Sequence, residues 1–154
     1  MQISLNHLNI KPSIKLMQEP IARKMDKIGR MYQAKLQRDL THLDINRSFY
    51  PLLLIDAGNG ITQQELADKL LCDKVQVVRI VDYLSTNGYV KRAQNQSDKR
   101  KYELAITEKA RQYIPEIRNV IENTTKMACK GLSENQTDEL YNMLVTIETN
   151  LLSK

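Results

Sequence analysis

The fold is decided by residues 61–90, which read ITQQELADKLLCDKVQVVRIVDYLSTNGYV. Thr62 and Glu65 have the spacing of a capping box, in which two side chains satisfy the free N–H groups at the start of a helix. Asp73 precedes a second amphipathic segment as its cap, and Gly88 lies where that segment must stop. The stretch therefore predicts two helices, ending near Leu71 and Asn87, joined by a tight turn as a helix-turn-helix.

The next residues predict a β-hairpin. Residues 89–92 read as one strand, and residues 102–106 alternate as a second strand. The residues between them are polar, turn-rich and basic. A hairpin with a basic tip directly after a helix-turn-helix is interpreted as a wing.

Helices flank this unit on both sides. A long amphipathic helix is expected from Pro20 to Leu43. A short helix follows, and Pro51 is tolerated in its first turn if Ser48 is its cap. Thr107 caps a long helix running towards Lys130, and a capping box at Ser133 begins a last one. The predicted fold class is mainly α with a small β-hairpin wing, a winged helix-turn-helix with N- and C-terminal dimerisation helices.

The flanking helices predict a homodimer. Roughly 22 residues from Pro20 would span about 33 Å, too long to lie wholly inside one small winged-helix unit. The last helix has its own apolar stripe, formed by Leu140, Leu144, Ile147 and Leu151. One winged unit cannot cover both stripes. We expect a single domain over 1–154, with 45–106 as the winged helix-turn-helix DNA-binding part and 1–44 and 107–154 as the dimerisation part.

The positive charge of the chain is concentrated in and after the second helix of the helix-turn-helix. Residues 74–101 contain seven basic and two acidic residues, and this excess equals the +5 net charge of the whole chain. A basic stretch is often only a solvated face, but here it coincides with the helix and hairpin that would meet DNA.

The exposed face of the second helix supplies the candidate DNA contacts. Its buried stripe uses every third or fourth position, which leaves outward Lys74, Val75, Gln76, Val78 and Arg79. Lysine and arginine contact phosphate or guanine, glutamine pairs with adenine, and valine suits a thymine methyl group. The alternative is that the two valines only pack on neighbouring helices.

Several motifs together resemble the MarR (multiple antibiotic resistance regulator) family over roughly residues 20–152. They are residues 61–70, residues 73–84, Asn87-Gly88-Tyr89-Val90, Asp98-Lys99-Arg100, Ile106-Thr107-Glu108-Lys109 and Gly131-Leu132-Ser133. The resemblance implies a homodimer with intertwined terminal helices that binds pseudo-palindromic double-stranded DNA, usually as a repressor. It also implies that Arg100 enters the minor groove braced by Asp98, with Lys99 beside them. The family often has Ser or Thr where Val75 and Val78 stand, so a different operator is expected.

Other kinds of site are not expected. No catalytic triad, phosphate loop or paired-carboxylate motif is present, His7 and His42 are isolated, and neither an enzyme, a metal site nor a cofactor is predicted. Cys72 and Cys129 form no disulfide framework, and we interpret each as a small buried residue, although Cys72 lies near the positive end of a helix. No membrane segment or secretory signal is read, so a cytoplasmic setting fits.

Two functions remain open at this point. The favoured one is a sequence-specific DNA-binding transcriptional regulator. The family resemblance implies that a small aromatic or lipophilic effector, or cysteine oxidation, releases the DNA. The other is a winged-helix protein-interaction module without DNA binding. The seven tyrosines and Phe49 could form an aromatic effector pocket between the dimerisation helices and the winged unit, or could equally be ordinary half-buried residues.

Overall fold

The computed structural model describes residues 19–58, 60–95 and 102–153. Its elements in chain order are α1 (Ile21–Asp39), α2 (Phe49–Ala57), α3 (Gln63–Leu70), α4 (Lys74–Thr86), β1 (Val90–Gln94), β2 (Tyr102–Ile106), α5 (Glu108–Ala128) and α6 (Glu134–Leu152). The predicted fold class is confirmed, because the chain is mainly helical with one antiparallel hairpin.

The core joins the helix-turn-helix to the hairpin. Side chains from α2, α3 and α4 meet the inward face of β1 and β2, and the end of α1 and the first half of α5 close the cluster. Its most deeply buried members include Phe49, Leu52, Leu66, Val77, Val81, Leu84 and Leu104. Val77, Val81 and Leu84 have the spacing of one helix face, so burying them turns the opposite face of α4 to solvent.

The first helix is shorter than the sequence periodicity predicted. It ends at Asp39, and Leu40 and Leu43 reach the core from a series of turns in which Leu43 N–H donates to the carbonyl of Leu40. Asn46, with φ of 49°, redirects the chain towards α2. Apolar spacing continues beyond Asp39 because those leucines are buried, although they are not helical.

Two local details differ from what the sequence pattern indicated. Ser48 precedes α2, but its side chain makes no capping hydrogen bond, and only its backbone carbonyl accepts from Leu52 N–H. The first wing strand covers Val90–Gln94 rather than residues 89–92, because Val90 pairs with Ile106 and Gln94 pairs with Tyr102. Pairing across the hairpin therefore determines where the strand begins and ends.

A further strand contact was not predicted. Leu104 N–H donates to the carbonyl of Ile61 at 2.7 Å, so a residue two positions before α3 adds a bridge to the edge of β2. Gly60 makes this approach feasible, since its φ is +105° and a Cβ there would lie 2.5 Å from a carboxylate oxygen of Glu103. This bridge attaches the hairpin to the start of the helix-turn-helix.

Candidate nucleic-acid interface

The turn between α3 and α4 is built from local hydrogen bonds. Leu71 takes the left-handed conformation, with φ of 48°, and Cys72 N–H donates to the carbonyl of Ala67. The carboxylate of Asp73 then accepts from Gln76 N–H at 2.7 Å, which begins α4 abruptly. The predicted Thr62–Glu65 capping box is also formed. These contacts hold the first turn of α4, the end predicted to enter DNA.

The N-terminal half of α4 presents an uncovered face. Lys74, Gln76 and Arg79 are exposed, while Val77 between them is buried. The side chain of Val75 is 59% exposed and that of Val78 is 36% exposed, so neither valine is taken into the core of this chain. All five residues predicted from the sequence therefore lie on the accessible surface of one helix.

The charges on this face are largely uncompensated. Within the described residues Lys74 and Arg79 form no ion pair. Arg92 differs, because its guanidinium donates to Asp82 at 2.6 Å and thereby ties β1 to the middle of α4. The free cations leave a positive field at the start of α4, where an anionic partner would be attracted.

The described residues include the base of the wing, where β1 and β2 pair. The hairpin register runs from Val90 opposite Ile106 to Gln94 opposite Tyr102, and the side-chain amide of Asn95 donates to Glu103. The predicted tip residues Asp98, Lys99 and Arg100 lie outside the described residues. Their assignment to DNA contact accordingly stays a prediction.

A concave cleft separates α4 from the hairpin. It has a volume of about 600 Å³ and is lined by Thr62, Gln63, Gln64, Glu65, Lys74, Val78 and Tyr102. Tyr102, the first residue of β2, is 60% exposed. Tyr102 is not among the candidate contacts predicted from the sequence, because its alternation with Leu104 and Ile106 indicates only a strand position.

The C-terminal end of α4 is attached to the start of α5. The ammonium of Lys109 donates to the carbonyl of Asn87 at 2.8 Å and lies 4.3 Å from the ring centroid of Tyr89. The hydroxyl of Thr107 donates to the carbonyl of Gly88 at 2.7 Å. A cation is favourable at a helix C-terminus and over an aromatic face. These contacts join the helix that would read DNA to the helix that leads towards α6.

Aromatic residues pack around the same junction. The ring centroids of Tyr89 and Tyr113 are 6.3 Å apart, and the hydroxyl of Tyr83 donates to the carboxylate of Asp44. The hydrogen bond to Asp44 is the main reason why the pKa of Tyr83 is raised above its usual value of 10.0. Phe49 and Tyr89 are buried in the core, whereas Tyr50, Tyr102 and Tyr141 are exposed on three different elements. The exposed tyrosines are therefore dispersed over the surface and do not form one pocket with the aromatic residues at the junction.

The terminal helices leave apolar surface uncovered. No residue of α6 is buried, and the exposed apolar residues on it and on α1 and α5 are Ile21, Ile28, Met31, Met127, Leu140, Tyr141, Met143, Leu144, Val145, Leu151 and Leu152. This includes three of the four residues of the stripe predicted from sequence, and the fourth, Ile147, is half-buried. So much exposed apolar surface marks a site of association.

A small cavity lies between α1 and α5. Its volume is about 280 Å³, and its walls are mostly apolar, formed by Ile28, Met31, Tyr32, Lys35, Thr124, Met127 and Ala128. The Tyr32 hydroxyl is engaged with the carbonyl of Ile121 and the hydroxyl of Thr125. The buried hydroxyl of Thr124 has no hydrogen-bond partner among the described residues.

The cysteines and the histidine in the described part are isolated. Cys72 and Cys129 are half-buried free thiols, and His42 contacts only the carboxylate of Glu116, at 2.8 Å. Across residues 19–58, 60–95 and 102–153, no group of three potential metal ligands occurs. No helix in those same ranges is long and apolar enough to cross a membrane.

The arrangement from α2 to β2 is that of a winged helix-turn-helix protein. Residues 44–101 match the model of the MarR family. An uncharacterized SlyA-like transcription regulator from Listeria monocytogenes is 27% identical, with 87% of this chain and 90% of that chain covered and a TM-score of 0.80. The same values describe a putative MarR family transcriptional regulator from Listeria monocytogenes complexed with 26mer DNA.

A MarR transcriptional regulator from Methanosarcina mazei Go1 is similar over 86% of this chain and 96% of that one, with 25% identity and a TM-score of 0.76. The resemblance indicated by the sequence motifs is thereby confirmed. Residues 44–101 are therefore similar to the MarR family, and over most of its length the chain has the fold of MarR and SlyA-like transcriptional regulators.

Proposed function

We propose that this protein is a cytoplasmic, non-enzymatic transcriptional regulator that binds a pseudo-palindromic DNA operator as a homodimer. Each subunit places the start of α4 in the major groove, with Lys74, Val75, Gln76, Val78 and Arg79 as contacts. The wing tip, with Asp98, Lys99 and Arg100, reaches the adjacent minor groove. Residues 45–106 form the DNA-binding part, and 1–44 and 107–154 form the dimerisation part.

One observation carries this proposal: the exposed half of α4 combines two unpaired cations with uncovered valines. Exposed valine side chains make no favourable contact on a helix face that meets only water, whereas in a major groove they can pack against thymine methyl groups. The Listeria monocytogenes regulator of equal similarity is described in complex with a 26mer DNA, which supports the same partner here.

The homodimer is supported by the terminal helices. Exposed apolar residues along α6 and the first half of α1 would be solvated in a monomer, and a two-fold pairing of identical chains would bury them. An inverted operator repeat follows, because half-sites mirror the symmetry of the protein. Half-site centres should lie one helical turn, or a multiple of it, apart.

We assign the role of repressor released by a small effector, and we place the effector in the cavity between α1 and α5. Its mostly apolar walls suit a small aromatic or lipophilic effector, and Thr124, whose buried hydroxyl has no partner among the described residues, is one of the residues that line it. A thermal-shift screen of small aromatic acids, with operator release as the readout, tests this assignment. Thr124→Val should abolish the response to a positive compound while DNA binding persists; an undiminished response would place the effector elsewhere.

The DNA-binding function itself is tested by a mobility-shift titration on the region upstream of its own gene. If each subunit pairs three to five cations with phosphates, log K should fall against log salt with a slope of about −5 to −9. Weak binding with a flat salt response would instead favour a winged-helix protein-interaction module.

A further inference from the structure

The geometry of DNA places a third contact zone between α4 and the wing. In a duplex, one sugar–phosphate strand always separates a major groove from the adjacent minor groove. A protein that inserts α4 into the first and its wing into the second must therefore have that strand cross the surface between them. In this chain that surface is the cleft between the start of α3, α4 and β2.

The cleft has the chemistry of a backbone contact. Tyr102 stands at its β2 side with an exposed ring, and neither the Tyr102 hydroxyl nor the Lys74 ammonium has a hydrogen-bond or ion-pair partner among the described residues. Glu65 also lines the cleft, but its carboxylate accepts from the backbone and hydroxyl of Thr62. A tyrosine hydroxyl is among the groups that donate to phosphate, and its ring offers a flat apolar face to a deoxyribose.

We propose that Tyr102 is a DNA-contacting residue that binds the sugar–phosphate strand between the two grooves. Its hydroxyl donates to a phosphate oxygen, and its ring packs against the neighbouring sugar. Lys74, across the cleft, is oriented to the same strand. This inference rests on the proposed DNA-binding function and adds a contact that holds the register of α4 relative to the wing.

The contact has two measurable properties. It is independent of sequence, so Tyr102→Phe should weaken binding to operator and random duplex by the same factor, roughly tenfold for each of the two hydrogen bonds that a homodimer loses. It involves a neutral donor that releases no counterion, so the salt slope should not change. If Tyr102 had only a structural role, Tyr102→Phe would lower the thermal stability of the protein. We expect the thermal stability of this variant to equal that of the wild type, because the Tyr102 side chain is largely exposed.

The decisive experiment pairs this variant with single methylphosphonate substitutions along a duplex chosen by binding-site selection with the wild type. Neutralising the contacted phosphate should weaken wild-type binding, and Tyr102→Phe should lose much less at that one position than elsewhere on the duplex. Tyr50→Phe is the matched control, because Tyr50 is 53% exposed on α2, outside the cleft.

The outcomes separate this inference from the proposed function. Wild-type binding with steep salt dependence, together with a Tyr102→Phe variant that matches wild type at every phosphate, would overturn the inference alone. Failure of the wild type to bind any duplex would overturn the proposed function and the inference together. A loss at one phosphate position that is large for the wild type and for Tyr50→Phe but much smaller for Tyr102→Phe supports both.

Discussion

Replacement of Lys74 by alanine tests whether α4 enters DNA as proposed. Lys74 is the first residue of α4, is exposed, and has no ion pair within the described residues. Its ammonium stands near the positive end of the helix dipole, where a cation is unfavourable for the helix itself. Asp73 still caps α4 in the variant, so Lys74→Ala should fold as well as the wild type.

The magnitude follows from counterion release. Each phosphate neutralised in B-DNA contributes about −0.9 to the slope of log K against log salt. A homodimer loses two such contacts, so the slope should become shallower by about 1.8. Raising salt from about 50 to about 200 mM is a fourfold change, over which the affinity ratio of wild type to variant should shrink about 12-fold.

The assay is fluorescence anisotropy with one labelled duplex over a salt series. The loss at low salt should be equal on operator and random DNA, because a phosphate contact carries no sequence information. Lys130→Ala is the control, since Lys130 is an exposed lysine just beyond α5, at the other end of that helix from the α4 junction. A wild-type-to-variant ratio that stays constant with salt would refute the placement of Lys74 against a phosphate.

Three further predictions concern bases, wing and dimer. Gln76→Ala should lose about 1–3 kcal/mol of binding free energy on the operator and relax the preference at one base position per half-site, and Val78→Ser should weaken a preference for thymine. Binding-site selection with each variant checks both predictions. An unchanged consensus with Gln76→Ala would mean that α4 does not lie in the major groove. Arg100→Ala should weaken binding more at A·T-rich than at G·C-rich flanks, since a narrow minor groove concentrates negative potential; equal losses in a titration of both duplexes would limit the wing to phosphate contact. Charged substitution at Leu144 or Ile147 should give monomers by light scattering and lose operator affinity together, whereas a wild type that is itself monomeric at micromolar concentration would remove the dimer from the proposal.

The caps of α3, α4 and α6 are readable from the sequence because each depends on residues three positions apart. Thr62 and Glu65 form their capping box, Asp73 caps α4, and Ser133 caps α6, as predicted. The apolar spacing of α4 likewise determined which face is buried, and hence which five residues are presented to a partner. Periodicity and capping chemistry are local, so no knowledge of the rest of the chain was required.

Contacts between distant residues were decided only by the tertiary structure. Periodicity could not distinguish a longer α1 from turns that carry Leu40 and Leu43 into the core, because both bury the same side chains. Nothing local indicates that Ile61 pairs with Leu104, since that bridge depends on how the hairpin packs on α2.

The same reason explains why Tyr102 was missed and why the α4–α5 junction was not foreseen. Tyr102 shares a cleft with Lys74 and Val78, from which more than twenty residues separate it, and Lys109 reaches Asn87 across 22 positions. Such pairs meet because burial of the core orients whole helices and strands. The sequence determined which residues α4 exposes, and the packing of the hairpin against α4 determined which other side chains stand beside them.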